Sequence, residues 1–209
     1  MKRILILSDS LALPRTKPEL CSYEDTYPVL LKERFEVHQV SIGAATSEIL
    51  LKQVHYHLSF NPDIVIIQVG IVDCAPRFMT RKEIDASYAF GSLGKLLRWS
   101  LNKKWVRNLR KVTYTSKTNF KIHLKSIRSK INSPILAIEI APAPDVYEKI
   151  LPGIRKNILD YNNILRETFD LTINTNEILN YGLMSDHHHI NKKGHLLILS
   201  ELKKAIDKI

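Results

Sequence analysis

Ser10 lies in the short polar stretch "LSDSLALPR", directly after an apolar run, and Asp186 and His189 lie in "SDHHHINKKGH" near the other end of the chain. A serine hydroxyl is a poor nucleophile until a base removes its proton. The usual base is a histidine whose second ring nitrogen is held by a carboxylate. The spacing Asp186-x-x-His189 puts carboxylate and imidazole on one side of a single turn. The aspartate can then fix the tautomer and leave the far nitrogen for Ser10. Taken alone, Ser10 reads as a turn residue or helix cap. The three residues together read as a nucleophile, a base and an orienting acid.

Other residue types offer less. His187, His188 and His189 are consecutive, so their side chains diverge, whereas metal ligands converge. No metal site and no cofactor is expected. His187 and His188 read as rim residues, and His195 as part of the start of the last helix. Cys74 has no motif pairing it with a base and reads as a buried thiol or pocket wall. Cys21 and Cys74 read as free thiols. Asp73 reads as a cap on its own loop. Arg15 and Arg77 follow two loops that point toward the same edge. A guanidinium there can clamp a carboxylate or phosphate, or simply form a salt bridge.

These residues need a scaffold that brings residue 10 to residue 189. Five runs read as strands: "KRILILS" (2–8), "FEVHQVS" (35–41), "DIVIIQVG" (63–70), "PILAIEIA" (134–141) and "DLTIN" (170–174). The third is continuously apolar, as a central parallel strand should be. Helical spacing marks 27–35, 46–58, 145–169 with an interruption at Pro152-Gly153, and 191–207. The alternation implies a three-layer α/β/α domain around a five-stranded parallel sheet. In such sheets the site lies beyond the carboxyl ends of the strands. The loops 8–15, 42–47, 70–77 and 141–145, with 182–195, form that rim.

The chain has 209 residues, enough for one domain with a sizeable core. Its hydrophobic content of 44% and charged content of 25% are those of an ordinary globular protein. The start, "MKRILILSDS", lacks the apolar run of a secretory signal, and no segment is long enough to span a membrane. The expectation is a cytoplasmic protein, with contact to the inner membrane face as an extension.

The net charge of +10 is unevenly placed. Of 31 basic residues, 12 lie between Lys95 and Lys130, with no Asp or Glu among them. The remaining 19 face 21 acidic residues, so the rest of the chain is nearly neutral. The basic stretch sits in a long connection between the third and fourth strands, read as a helical insertion at about 78–130 on a single domain spanning 1–209. With Trp99, Trp105 and Tyr114 interleaved, it suits an anionic membrane surface or an acidic glycan. No nucleic-acid-binding motif accompanies it, so DNA or RNA is the weaker reading.

The blocks also carry a resemblance. "LSDSL" (7–11), "VSIGAATSEIL" (40–50), "VGIVD" (69–73) and "DHHHINKKGH" (186–195) occur in the order of the sequence blocks of the SGNH, or GDSL, hydrolase superfamily. The resemblance spans nearly the whole chain and implies a flavodoxin-like fold and a serine esterase. It implies Ser10 as nucleophile, His189 as base and Asp186 as orienting acid. Gly43, or Ala44 in an alternative alignment, would give a backbone N–H to the oxyanion hole. Gly70 and Asp73 match the third block, placing them at the oxyanion or substrate. Two positions depart from the pattern. Ser8 stands where the family has glycine, and Val72 where an asparagine donates to the oxyanion. Valine donates nothing. Losing one such donor costs about 10²–10³ in rate, and Arg77 is the candidate replacement.

The combination "DSLALPR…YEDTYP…GIVDCAPR" further resembles a bacterial subgroup associated with surface-polysaccharide biosynthesis. That implies an acylated, in particular acetylated, sugar or lipid-linked glycan as substrate. Acyl transfer to a sugar hydroxyl would use the same triad. A catalytically weak binding protein on the same fold is the reading that Val72 and Ser8 favour.

Overall fold

The computed structural model describes all 209 residues, Met1–Ile209. Its centre is set by the apolar runs. β1 (Arg3–Ser8), β2 (Glu36–Ser41), β3 (Ile64–Gln68), β4 (Ile135–Ile138) and β5 (Leu171–Ile173) form one sheet in the order β2-β1-β3-β4-β5, every pair parallel. Ile4–Leu7 and Val65–Ile67 are wholly buried. A parallel sheet is covered on both faces, so its inner strands cannot alternate with polar residues. The edge strand β2 is only half-buried and mixes polar with apolar residues.

The helices in chain order are α1 (Tyr27–Leu31), α2 (Ser47–His57), α3 (Ile71–Cys74), α4 (Arg81–Ala89), α5 (Gly91–Leu101), α6 (Lys104–Arg110), α7 (Lys117–Arg128), α8 (Asp145–Ile150), α9 (Ile154–Thr168), α10 (Ile178–Tyr181) and α11 (Lys192–Ile206). α1 packs with α11, while α7 packs against both α2 and α9. These are the two outer layers. The helical pattern expected over 145–169, with its interruption at Pro152-Gly153, is α8 followed by α9. Pro152 cannot continue α8, and Gly153 turns the chain at φ 89°.

The segment at 78–130 divides into two parts. α7 turns Phe120, Leu124 and Ile127 onto the body of the domain, where each is fully buried. It is the ordinary crossover helix between β3 and β4. α4, α5 and α6 form the excursion outside the layers. No helix is long and apolar enough to cross a membrane.

The chain leaves β1 for β2 on one side and reaches β3 on the other. The strand order therefore reverses at β1, and the crevice at its carboxyl end is where such sheets place their ligands.

Candidate active site

The end of β1 is held rigidly. Asp9 N–H donates to the Gln68 carbonyl of β3 at 3.0 Å, and the Asp9 carboxylate accepts from Leu11 N–H at 2.9 Å. That bond caps a 3-10 turn, Ser10–Ala12, which sets Ser10 at the rim. Asp9 is fully buried with its second carboxylate oxygen unpartnered. Burial raises its pKa to about 7, with Leu11 N–H opposing and the Asp73 charge adding to the rise. Ser8, the departure from the glycine pattern, is accommodated by its neighbour in register. Its Oγ lies 2.6 Å from Ser41 Oγ on β2.

The loop after α10 delivers the other two residues. Asn191 caps α11 by accepting from Gly194 N–H at 3.0 Å, and its Nδ2 donates to the Tyr181 and Leu183 carbonyls. Met184 N–H donates to the His189 carbonyl at 2.8 Å. His187 takes φ 67°, a left-handed conformation that a residue with a Cβ adopts only when its surroundings impose it.

Within this frame Asp186 Oδ2 lies 2.6 Å from His189 Nδ1, and Asp186 Oδ1 accepts from His189 N–H at 3.0 Å and His188 N–H at 3.2 Å. His189 Nε2 is 3.4 Å from Ser10 Oγ, a long hydrogen bond of the correct direction. The structure thus brings together residues 179 positions apart.

The electrostatics suit a base. Burial alone would raise the Asp186 pKa, but the hydrogen bonds from His189 and the His188 charge outweigh it and bring it to about 2. Burial lowers His189 to about 4, helped by His188 and opposed by Asp186. At neutral pH the pair is a carboxylate and a neutral imidazole, and Nε2 is free to accept a proton.

Ser10 and His189 open onto a cleft of about 550 Å³. Arg15, Gly43, Ala44, Val72 and Arg77 line it, as do Arg81, Tyr114, Tyr147 and His188. Ala44 takes φ 57°, so the 43–44 turn points its backbone in a direction that costs an alanine about 1–2 kcal/mol. The Arg77 guanidinium lies 4.4 Å over the Tyr114 ring, and the Nε of Arg15 and of Arg77 is buried without a partner. No carboxylate lines the cleft.

Two residues expected at the oxyanion or substrate are elsewhere. Asp73 is fully buried and caps α2 instead of its own loop. Its carboxylate accepts from Ser47 N–H at 3.0 and 3.1 Å and from Ser47 Oγ at 2.8 Å. A desolvated carboxylate needs such donors, and the α2 N-terminus supplies them. Gly70 also lies beneath the cleft. Its φ of 133° is open to glycine, and a Cβ there would fall 2.6 Å from Ile140 Cδ1. Gly70 shapes the turn from β3 into α3, which presents Val72.

His188 stands at the rim as expected, whereas Arg81, Tyr114 and Tyr147 were not legible as cleft residues. Tyr147 follows the 141–145 loop, so its neighbourhood was flagged by position. Its ring stacks on His188 at 5.6 Å and 12°. Arg81 and Tyr114 come from the long connection, whose path no local pattern reveals.

The remaining candidates resolve simply. His195 is a core residue: fully buried, it accepts from Tyr27 N–H at 3.3 Å, and burial lowers its pKa to about 4. Cys74 is fully buried, which raises its thiol pKa, so it is not a thiolate nucleophile. Cys21 is a free buried thiol too. Asp186, His188 and His189 bring three ligand-type atoms within 4.8 Å. The Asp186–His189 contact is taken up by the hydrogen bond just described, and His188 Nδ1 donates to the Asp186 carbonyl at 3.0 Å.

The fold has known counterparts among solved structures. The psychrotrophic esterase EstA from Pseudoalteromonas sp. superposes with a TM-score of 0.63 at 19% identity, over 100% of this chain and 98% of that one. A carbohydrate acetylesterase family member from Sinorhizobium meliloti gives 0.64 at 12%, over 100% and 98%. A member of the lipolytic protein G-D-S-L family from Veillonella parvula gives 0.62 at 10%, over the full length of both. No protein-family model matches the chain, and no curated protein matches it. The chain shares the fold of these solved hydrolases over its whole length.

Proposed function

We propose that this chain is a serine esterase that removes an acyl group, acetyl in the first instance, from a carbohydrate. The observation that carries the reading is the aligned Ser10–His189–Asp186 set at the mouth of a cleft beside β1. His189 Nε2 takes the Ser10 proton as Oγ attacks the ester carbonyl carbon. The resulting oxyanion faces the backbone N–H groups of Ser10 and the 43–44 turn. Collapse breaks the bond to the sugar oxygen, which takes the proton from His189. Water, deprotonated by His189, then attacks the acyl-serine carbonyl, and the acyl–Oγ bond breaks to release the acid as Ser10 Oγ takes the proton back from His189. Arg77 takes the place of the donor that Val72 lacks.

The substrate class rests on the cleft wall. Arg15, Arg77 and Arg81 with no carboxylate among them favour an ester whose sugar carries a carboxylate or phosphate. The sequence resemblance to the surface-polysaccharide subgroup supports an acidic glycan or lipid-linked intermediate, handled in the cytoplasm. The neighbour from Sinorhizobium, a carbohydrate acetylesterase family member, points the same way.

The test is acid release from acetylated uronic-acid oligosaccharides and from a neutral aryl acetate, by the protein and by Ser10→Ala. Equal rates for the two proteins would sink the reading. Mass gain on an added glycan acceptor would move it to acyl transfer. Val72 favours one other reading, a binding protein on this fold. A fluorophosphonate probe that leaves Ser10 unlabelled in folded protein would establish that instead.

A further inference from the structure

α5 and α6 present an apolar surface that nothing in the chain covers. Leu93, Leu96 and Leu97 on α5 fall at i, i+3 and i+4, which places them on one face. Trp99 follows at the end of the same helix, and Trp105 and Leu109 fall at i and i+4 on α6. These six side chains are between 45% and 75% exposed. An uncovered cluster of large apolar residues on a monomer marks a site of association.

The inner faces of the same helices are anchored. Gly94 lets α5 approach α4 so closely that a Cβ there would collide with the Ser87 carbonyl at 1.7 Å. Arg98 Nη1 donates to Ser87 Oγ at 2.6 Å, and Val106 of α6 is buried. The outward leucines are therefore not loose ends of a frayed segment. They are what a tethered pair of helices leaves outside.

Charge selects the occupant. Lys95, Lys103 and Lys104 flank the apolar residues, and Lys103 Nζ lies 4.7 Å from the Trp99 ring centroid. No acidic residue occurs between Asp85 and Glu139. Two copies of such a face repel each other. A nucleic acid would use the cations and leave the leucines in water. An anionic bilayer uses both, with leucine and tryptophan below the headgroups and lysine among them.

We infer that α5 and α6 form an interfacial docking surface for an anionic lipid bilayer. The surface is independent of Ser10 and stands whether or not the esterase reading does. Docked there, the protein would meet lipid-linked substrate with the adjoining Arg81 end of α4 already in the cleft wall.

The chain's two tryptophans, Trp99 and Trp105, both lie on this surface, so intrinsic fluorescence reports on it directly. Phosphatidylcholine vesicles, alone or with about 30% phosphatidylglycerol, supply the two arms at about 0.1 M salt. The expected result is a blue shift and co-sedimentation with the anionic vesicles, both weakened by added salt. Leu93→Ser/Leu96→Ser/Leu97→Ser and Lys95→Glu/Lys103→Glu/Lys104→Glu should each weaken partitioning by about 100-fold or more. Their circular dichroism and their hydrolysis of a water-soluble ester should match the parent. No shift with anionic vesicles, or equal binding to neutral ones, overturns the inference. So does a leucine-dependent dimer in sedimentation, or retention of RNA without any vesicle binding.

Discussion

The loop that carries Asp186 and His189 and the arm built from α4, α5 and α6 are both excursions from one sheet, and they are finished in opposite ways. In the loop the polar groups are paired inward. Asp186 accepts from two backbone N–H groups and one imidazole, and Asn191 ties both ends. In the arm the polar pairing faces inward as well, but leucine and tryptophan are left outward. A site that must hold three atoms in line needs its conformational freedom removed. A surface that meets a partner of no fixed shape needs only composition and exposure. That difference also explains why a short motif revealed the first and only the charge balance hinted at the second.

The comparison can be broken most directly at the loop. Ser10→Ala and Asp186→Asn should each lower kcat/KM by about 10⁴ or more with little change in melting temperature. Steady-state hydrolysis beside a thermal melt measures both, and a loss below tenfold would remove the triad from the mechanism. A smaller effect is expected where the cleft departs from the family pattern. Arg77→Gln should cost about 10²–10³ in kcat, and Val72→Asn placed in that variant should recover much of it. A variant pair showing no recovery would mean Arg77 serves the substrate's charge instead of the oxyanion.

Below that in size comes pH. Because burial lowers His189 to about 4, its neutral, base-competent form should persist well into acid. kcat/KM should stay flat below neutrality and fall only as pH drops through about 4, and a midpoint near 6.5 would contradict the buried geometry. The same shifts act on stability. His189 and His195 both have folded pKa values lowered from 6.5 to about 4, so the unfolded chain binds more protons between those limits. Their contribution to stability should be full above about pH 6.5 and decline from there toward 4. Asp9, raised from 3.8 to about 7, contributes in the opposite sense, so calorimetry of His195→Gln beside the parent across that range isolates the histidine part.

Asp73→Ala should cost about 1–3 kcal/mol by stranding the Ser47 donors. It should leave kcat/KM within a few-fold, since the carboxylate is outside the cleft. A large kinetic loss at unchanged stability would return Asp73 to the site. Smallest of all should be the effect of arm substitutions on soluble ester hydrolysis, below twofold. A larger change would couple the two excursions that the structure keeps apart.

The five strands were legible because a parallel sheet buried on both faces leaves long apolar runs, and the helix break because proline and glycine act locally. α7 shows the limit. Its Phe120, Leu124 and Ile127 repeat at helical spacing, yet the lysines and arginines on its outer face merged it with the basic arm. Asp73 and Gly70 show another limit. Their block matched, but a motif says nothing of whether a side chain faces a cleft or the core beneath it.

The sequence by itself determined the alternation of strands and helices, the Asp186-x-x-His189 turn and the concentration of positive charge, since each depends on neighbours within a few residues. Only the tertiary structure decided that Ser10 meets His189, that Asp73 caps α2, and that Arg81, Tyr114 and Tyr147 close the cleft. Those contacts join positions tens to nearly two hundred residues apart. Which of them meet depends on strand order and on the path of the long connection, and these follow from burying the whole core at once.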